Sequence, residues 1–560
     1  MDSARTNGSI AVALVALLAI GLWLRLDGNA ERTISHIESY APGIAYPAGF
    51  SDPPARLDQR ANLLWAINDV HGPFWYLWML PYAQLFGTDL ATLRLPAALC
   101  GVATILGVFL LGKRAGGAWA GLAAAALLTG AGHQVYWSQR ARFYASAICL
   151  AVWTTVWLLD LLDRKSFSPG RLAALLAGSF AGLATLYYYW PLFLAQLLWT
   201  ALAEAKRGLR LTLWLAVLGL AASPLLTLAV YQARPAPYLA YPTAETLAGY
   251  FSFGFLYDPA IDDGVIERGQ VGGRELGLAV GAVLLALALA SRGSAPRVEP
   301  SGAIPAPPLW LAALATASCT LLILASVGPA AEAFPHKTRL LWATAAFPAL
   351  GLAAFAALAG RGGELLRRIA KTGPTWLGSP VAALFMLALG PLAMVTAVHE
   401  ITPFFAPRGM ALFSPFLLAL CGVGLARLAR SGGAGALAAA GLLVAMVGVQ
   451  AASIRIVHSE PGAFDYRRMA LEVREHMGPE DRIFVGPHWS VTPLFYYWRN
   501  EADRLVGDHW AQAAGQTRRV WLVEAERQPL PADMLPALAG WRQSEQLSAR
   551  ALHAKLFERP

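Results

Sequence analysis

Long apolar runs recur along this chain from Ile10 to Ser453, and short basic clusters separate them. No other feature limits the fold as strongly. About 20 consecutive apolar residues span a bilayer as a helix, and backbone inside lipid must satisfy its own hydrogen bonds. Of 560 residues, 56% are hydrophobic and only 14% charged, whereas soluble domains carry nearer a quarter charged. The expected fold is mainly α: a polytopic membrane protein with about 13 transmembrane helices, outer juxtamembrane helices and a small C-terminal α/β domain.

The basic clusters give the orientation. Lys113-Arg114, Arg164-Lys165, Lys206-Arg207, Arg292, the stretch Arg361–Lys371, and Arg427 with Arg430 fall at alternate run ends, which places those turns in the cytoplasm. The net charge of +9 is read as this topological signal and not as a nucleic-acid footprint. Ile10–Leu26 follows Arg5, ends at Arg25 and Asp27, and lacks a small-residue cleavage site, so it reads as a retained first helix. Cys100, Cys149, Cys319 and Cys421 are isolated within apolar segments and read as core residues without a disulfide.

The first outer loop is residues 27–90. Within it Pro73–Phe86 is aromatic, short and broken by Pro81, which suits a helix lying on the membrane surface. Spans are then expected at Ala91–Leu111, Trp119–Val135, Ala145–Leu162, Leu172–Tyr189, Pro191–Ala203, Leu211–Tyr231 and Leu276–Ala290. A Pro-rich linker, Ser294–Pro308, precedes Leu309–Val327, Leu340–Ala359, Pro380–Val398, Met410–Leu425 and Ala436–Ala452. This divides the chain into a transmembrane domain, 1–456, and a soluble outer domain, 457–560. The latter has strand-like runs at Arg482–Val485 and Arg519–Glu524, a helix-like run at Phe464–Met477, and no Gly-rich phosphate loop.

Chemistry-bearing residues gather in the first loop, at Ser35–Gly43 and Asn68–Pro73. Glu38, between His36 and Tyr40 and before Pro42-Gly43, is the expected catalytic carboxylate, a general base for a hydroxyl proton. Asp69 is the second candidate. Asp69 and His71 could hold a divalent cation with Glu38 or His36; alternatively Asp69 caps a helix and His71 packs at the interface. Tyr136–Tyr144 carries Gln139, Arg140, Arg142 and Tyr144 on the outer side, where the positive-inside rule disfavours arginine. Arg140 and Arg142 are therefore assigned either to an anion or to acids of the first loop. Arg94, Lys337, Arg339 and Arg408 are further outer cations, read as substrate-binding or snorkelling residues. Tyr187-Tyr188-Tyr189-Trp190 reads as an interfacial aromatic belt.

Three of these blocks carry a resemblance: Ala91–Leu111, Tyr136–Tyr144 and Asp69-Val70-His71-Gly72-Pro73. Together they resemble bacterial membrane glycosyltransferases of the family 39 type, which have the GT-C fold. Relatives of that family are protein O-mannosyltransferases and the lipid A aminoarabinose transferase. The resemblance covers about Ile10–Arg164. The place of the family's acidic pair reads His36-Ile37-Glu38 here, with one acid missing, its His-Pro-Pro reads His71-Gly72-Pro73, and its Ser-Gln-Glu-Ala-Arg reads Ser138-Gln139-Arg140-Ala141-Arg142.

The resemblance implies a polyprenyl-phosphate-linked sugar donor, a lipid, glycan or protein acceptor, and Glu38 in the catalytic place. A divalent metal ion is the only cofactor in view, and no nucleic acid is expected as a partner. The implied location is the inner (plasma) membrane, with the active site and C-terminal domain on the periplasmic side. A flippase for lipid-linked saccharides and an oligosaccharide ligase are the alternatives. A flippase would need ionisable or helix-breaking residues deep in several spans.

Overall fold

The apolar runs fold as helices. The computed structural model describes residues 2–44, 72–163, 167–203, 207–232, 281–285, 287–288, 307, 314, 317, 375–400, 406–459, 464–486, 490–506, 509–526 and 530–560. In order, the helices are α1 (Asp2–Leu26), α2 (Phe74–Phe86), α3 (Leu90–Gly116), α4 (Ala118–Thr129), α5 (Gly132–Ser138), α6 (Tyr144–Asp163), α7 (Pro169–Leu183) and α8 (Tyr189–Ala203). They continue with α9 (Arg207–Ala222), α10 (Pro224–Gln232), α11 (Pro380–His399), α12 (Ser414–Arg430) and α13 (Gly433–Ser459). Five of them, α1, α3, α6, α11 and α13, are long and apolar enough to cross a membrane; α4, α8 and α9 are apolar but shorter. Of the span expected at Leu309–Val327 only residues 314 and 317 are described, both helical, and the span expected at Leu340–Ala359 lies outside the described residues. So do Cys319 and nearly all of the linker. In Leu276–Ala290, residues 281–285 and 287–288 are described, and they are helical.

Three expected spans are interrupted. Trp119–Val135 divides into α4 and α5 at Gly130, against which Gln450 of α13 is pressed. A Cβ on Gly130 would stand 2.6 Å from Gln450 Oε1, and Gln450 Nε2 donates to the Leu127 carbonyl at 2.7 Å near the end of α4. Leu172–Tyr189 ends as helix at Leu183, and the chain turns through 184–188 into α8. Leu211–Tyr231 divides before Pro224, whose ring cannot continue the hydrogen-bond ladder.

The turn at 184–188 also corrects the aromatic-belt reading. Tyr187, Tyr188, Tyr189 and Trp190 are all buried in protein. The Tyr188 hydroxyl accepts from the Ala406 backbone N–H, and the Tyr189 hydroxyl lies 2.8 Å from Thr154 Oγ1. These rings brace the inside of the bundle.

Helix α3 is the hub of the bundle, in contact with α1, α4, α6 and α12. Small residues let these backbones approach closely, as between helices in lipid. A Cβ on Gly112 of α3 would lie 2.9 Å from Gly121 Cα of α4, and one on Gly422 of α12 would lie 2.6 Å from the Ala120 carbonyl. At one end of the bundle Arg114 and Arg171 converge on Asp160. Cys100, Cys149 and Cys421 are free thiols within it.

The C-terminal region folds around a five-stranded sheet of β1 (Arg482–Gly486), β2 (Leu505–Val506), β3 (Arg519–Ala525), β4 (Arg542–Ala549) and β5 (Leu552–Glu558). The order is β2-β1-β3-β5-β4, with β1 parallel to β2 and β3, and β5 antiparallel to β3 and β4. The helices α14 (Tyr466–His476), α15 (Val491–Tyr497) and α16 (Trp510–Gly515) accompany it. Asp481, at the head of β1, accepts from Trp521 Nε1 at 3.1 Å and so ties the two central strands.

Candidate active site

The first loop begins where α1 ends. Gly28, at φ +66, turns the chain out of the helix. Residues 29–37 then run across the ends of α3 and α5 to a short 3₁₀ turn, Glu38–Tyr40.

Six donors converge on the carboxylate of Glu38. Arg94, in the second turn of α3, grips Glu38 with two parallel bonds, Nε to Oε1 at 2.8 Å and Nη2 to Oε2 at 2.9 Å. Arg140, just after α5, donates to Oε2 at 3.0 Å. The Ala141 N–H donates to Oε1 at 2.8 Å. The Ser35 N–H and hydroxyl each donate to Oε2 at 3.0 Å. Glu38 and Arg94 are both 0% exposed. Burial alone would raise the pKa of Glu38, but the charges of Arg94 and Arg140 and the bonds from Arg94 and Ser35 hold it well below the usual carboxylate range.

The arginines are committed to the same loop. Arg94 Nη1 donates to the carbonyls of Asn29 at 2.6 Å and Arg32 at 3.2 Å, and Nη2 to that of Thr33 at 3.0 Å. Arg140 also donates to Thr33 at 3.3 Å and lies over the Tyr136 ring at 4.8 Å. Arg142 donates to the Ile37 carbonyl at 3.0 Å and covers the Phe143 ring. Arg140 thus pairs with an acid of the first loop, whereas Arg142 reaches a backbone carbonyl of that loop. Gln139 holds the loop's start: its amide donates to Leu24 O at 2.7 Å and Asp27 O at 3.2 Å, and its carbonyl accepts from Arg32 Nη1. Tyr144 is buried against Trp137, with ring centroids 3.9 Å apart.

This arrangement conflicts with Glu38 as a general base. A carboxylate has about four lone-pair sites, and six donors already converge on this one. A base also works best with a pKa near the operating pH, and that of Glu38 is driven the other way. A metal ion fits no better here, because the donors surrounding the carboxylate present positive charge. Among the described residues no three His, Cys, Asp or Glu side chains converge as a metal set. Asp69, His71, Lys337 and Arg339 lie outside the described residues. His36 stands edge-on to Tyr40 at 5.0 Å, both half-buried, and half-buried Arg408 sits in the turn before α12 that packs on Tyr188.

Gly72 explains one departure from the resembled pattern. A Cβ there would stand 2.2 Å from the Ala184 carbonyl oxygen, which also accepts from Phe74 N–H at 2.9 Å. A proline in place of Gly72 does not fit against that carbonyl.

The opposite side of residues 27–33 is open. There a polar cavity of about 640 Å³ lies between the loop and α14. Asp27, Glu31, Arg32 and Thr33 form one wall, and Asp465, Arg467, Arg468 and Glu472 the other, with His458 from the end of α13 between them. The C-terminal domain holds the loop directly. Arg467 N–H donates to Thr33 Oγ1 at 3.0 Å, the Tyr497 hydroxyl accepts from Ile34 N–H at 2.8 Å, and Ser39 and Thr492 hydroxyls meet at 2.7 Å. Asp27, Arg32, His458 and Tyr497 were not singled out from sequence as site residues. For Asp27 and His458 the one signal is position, a polar side chain where an apolar run ends.

No family model matches the chain, and no curated protein does. Solved structures do. An oligosaccharyltransferase of Archaeoglobus fulgidus, solved with Zn and sulfate, is 14% identical with a TM-score of 0.42, over 92% of this chain and 68% of that one. Oligosaccharyltransferase AglB from the same organism, with an inhibitory peptide and a dolichol-phosphate, is 12% identical with a TM-score of 0.43, over 98% and 74%. ArnT of Cupriavidus metallidurans, bound to undecaprenyl phosphate, is 13% identical with a TM-score of 0.38, over 98% of each chain. The chain is similar to all three along nearly its whole length.

Proposed function

We propose that the protein is an integral membrane glycosyltransferase. It moves a sugar from a polyprenyl-phosphate-linked donor to an acceptor hydroxyl on the outer membrane face, by direct displacement with inversion at the anomeric carbon. One observation carries this reading. The first loop and two of the sequence blocks that resemble membrane glycosyltransferases meet at a single carboxylate: Glu38 from the loop, Arg94 from α3, and Arg140 with the Ala141 N–H from the segment after α5.

The chemistry agrees with the placement. Nucleotide sugars are cytosolic, so a transferase facing outward takes its sugar from a lipid carrier. The carrier's phosphate leaves as a stable anion, so no general acid is required on the leaving oxygen, unlike the two-carboxylate arrangement of glycosidases. The chain has to supply a rigid seat for donor and acceptor, cations toward the phosphate, and a base for the acceptor. Glu38 serves the first need, as the fastener that makes residues 29–38 a fixed wall. Arg408 is an exposed enough cation for the second, with Lys337 and Arg339 as the further candidates from sequence. The base is a group with an open lone pair, which Glu38 is not.

The test is transfer by the purified full-length protein in liposomes. Undecaprenyl-phosphate hexoses and pentoses, and an oligosaccharide-linked carrier, are supplied with an envelope-lipid extract as acceptor. Product from a single-sugar donor with inverted configuration supports the reading. Product from the oligosaccharide carrier alone makes the protein a ligase, and movement of the carrier without product makes it a flippase. Orientation is checked by labelling engineered cysteines from outside: one placed at Glu480 reacts and one at Gly208 does not.

A further inference from the structure

We propose that the cavity between residues 27–33 and α14 is the acceptor site, and that it takes an uncharged glycan. This rests on the transferase reading above and names the acceptor class that reading leaves open.

The cavity is built from two separate parts of the chain. Its volume of about 640 Å³ lies within the roughly 300–1,000 Å³ range of ligand sites, which favour such junctions between domains. The loop wall is fixed from behind, because Arg94 and Arg140 both donate to the Thr33 carbonyl, at 3.0 and 3.3 Å. The α14 wall is tied to it by the Arg467 N–H, which donates to Thr33 Oγ1 at 3.0 Å. A ligand therefore meets two walls already set, and binding does not have to order them. Two helices long and apolar enough to cross a membrane, α1 and α13, end at this cavity. That places it at the membrane surface, within reach of a glycan carried on a lipid or free in water.

The lining decides the chemistry. Five carboxylates line it, Asp27, Glu31, Asp465, Glu472 and Glu475, against three arginines. Each arginine already donates to the protein: Arg32 to Gln139 Oε1, Arg467 to the Glu31 carbonyl, and Arg468 to Glu472 Oε1 at 2.6 Å. Glu31 and Glu475 are exposed and, among the described residues, in no ion pair. Asp27 gives Oδ2 to His458 Nδ1 at 3.0 Å, and its side chain is still 47% exposed. Accepting oxygens are therefore in surplus.

Carboxylates only accept, so the fitting ligand brings donors. A phosphate brings further acceptors and a like charge, which these carboxylates oppose. A metal cation fits no better: among the described residues no three His, Cys, Asp or Glu side chains converge as a metal set, and arginines stand in both walls. Sugar hydroxyls both donate and accept, so they engage carboxylates and arginines together. Leu471, 44% exposed in the same cavity, offers an apolar patch to a sugar ring. The lining thus separates the two substrates of the reaction, since the donor phosphate needs cations and this cavity has carboxylates in excess.

The experiment uses the full-length protein in liposomes with undecaprenyl-phosphate hexoses and pentoses. An envelope extract is split by anion exchange into an uncharged and an anionic fraction, and each is offered as acceptor. Release of undecaprenyl phosphate reports turnover, and binding of undecaprenyl phosphate alone reports the donor site. Product is expected from the uncharged fraction, on material that carries glycan. Its partition into water marks a free glycan and into chloroform a glycolipid, and both support the site. The KM for that fraction should stay within about twofold when ionic strength is raised about tenfold, since screening acts on charges. Glu31→Ala and Glu475→Ala should each raise that KM about tenfold, the loss of one hydrogen bond to a charged group. Leu471→Trp, which narrows the cavity, should raise it as well. In all three variants kcat and carrier binding should stay within about twofold of wild type. Turnover with the anionic fraction alone, product on a lipid without glycan, or a KM that moves with salt overturns the uncharged glycan. An acceptor KM unchanged in all three variants overturns the cavity as the acceptor site, while the transferase reading stands on wild-type turnover. A wild-type protein that turns over no donor with either fraction overturns the transferase reading, and this site with it.

Discussion

The two sides of residues 27–38 differ as a clasp differs from a working surface. On one side Glu38, Arg94 and Arg140 are buried and paired with one another. On the other, Asp27, Arg32 and His458 border an open cavity, and the Asp27–His458 pair is partly solvated. Both sides contain carboxylates and cations, so composition does not distinguish them. Access and saturation do. A carboxylate that receives six donors gives structure, whereas polar groups that border an open cavity stay accessible to a ligand.

The sharpest way to break this comparison is to remove the clasp. Glu38→Ala leaves two buried arginines without their carboxylate. Breaking a buried ion pair from one side costs about 3–5 kcal/mol, so folded, monodisperse protein in detergent should drop sharply. A Glu38→Ala variant that unfolds at the wild-type temperature would return Glu38 to the list of reactive groups. Next in size is Arg94→Lys, which keeps the charge but loses the planar fork and several of its five bonds. It should cost about 2 kcal/mol in thermal unfolding, the scale of a hydrogen bond to a charged group. A loss below measurement would mean that charge alone holds the loop.

Tyr497→Phe deletes the hydroxyl that accepts from Ile34 N–H. It should cost about 1 kcal/mol and should increase proteolysis at the domain junction more than within the bundle. Equal protection at both places would show that this contact does not hold the domain down. The acid dependence of stability is a milder probe of the clasp. The folded pKa of Glu38 is depressed, so its contribution is fully present above the unfolded value of about 4.3 and is lost as pH falls through the folded value. Between pH 7 and 5.5 the Glu38 contribution should be flat, with wild type and Glu38→Gln running parallel. A wild-type midpoint that rises as pH falls through that window while Glu38→Gln stays level would mean that the folded pKa is raised and the carboxylate is not clasped. The smallest effect belongs to Glu472→Ala. It breaks an i,i+4 pair with largely exposed Arg468, and exposed pairs contribute little. Its unfolding temperature should match wild type.

How much of this was legible depends on whether a feature is local. Apolar length located α6 and α11 to within a residue and found α1, α3 and α13, whose ends run up to eight residues past the apolar runs, because burial in lipid acts on each run separately. Glu38, Arg94, Gln139, Arg140 and Arg142 stood out because charge and amide are costly in such a chain. Their roles were less visible, since pairing is tertiary and Glu38 meets Arg140 across 102 residues. The pairing partners of His458 and Asp27 lie 431 residues apart, and each alone is an ordinary polar helix end. The break at Gly130 was missed because the side chain that meets it, Gln450 of α13, comes from a distant helix. Strands β4 and β5 escaped too: β4 reads RQSEQLSA, is mostly exposed, and lacks the apolar alternation that marks a strand.

The contacts of the first loop also set a schedule for biosynthesis. Domains form in the order the ribosome delivers them, at about 5–20 residues per second. Glu38 waits about 5–20 s for Arg140, which follows it by 102 residues. Ile34 waits about 25–90 s for Tyr497, 463 residues later. The clasp therefore closes while most of the chain is still unmade, and the cavity wall supplied by α14 is among the last parts to arrive. A nascent chain released after α13 would hold a finished clasp facing an unfinished cavity.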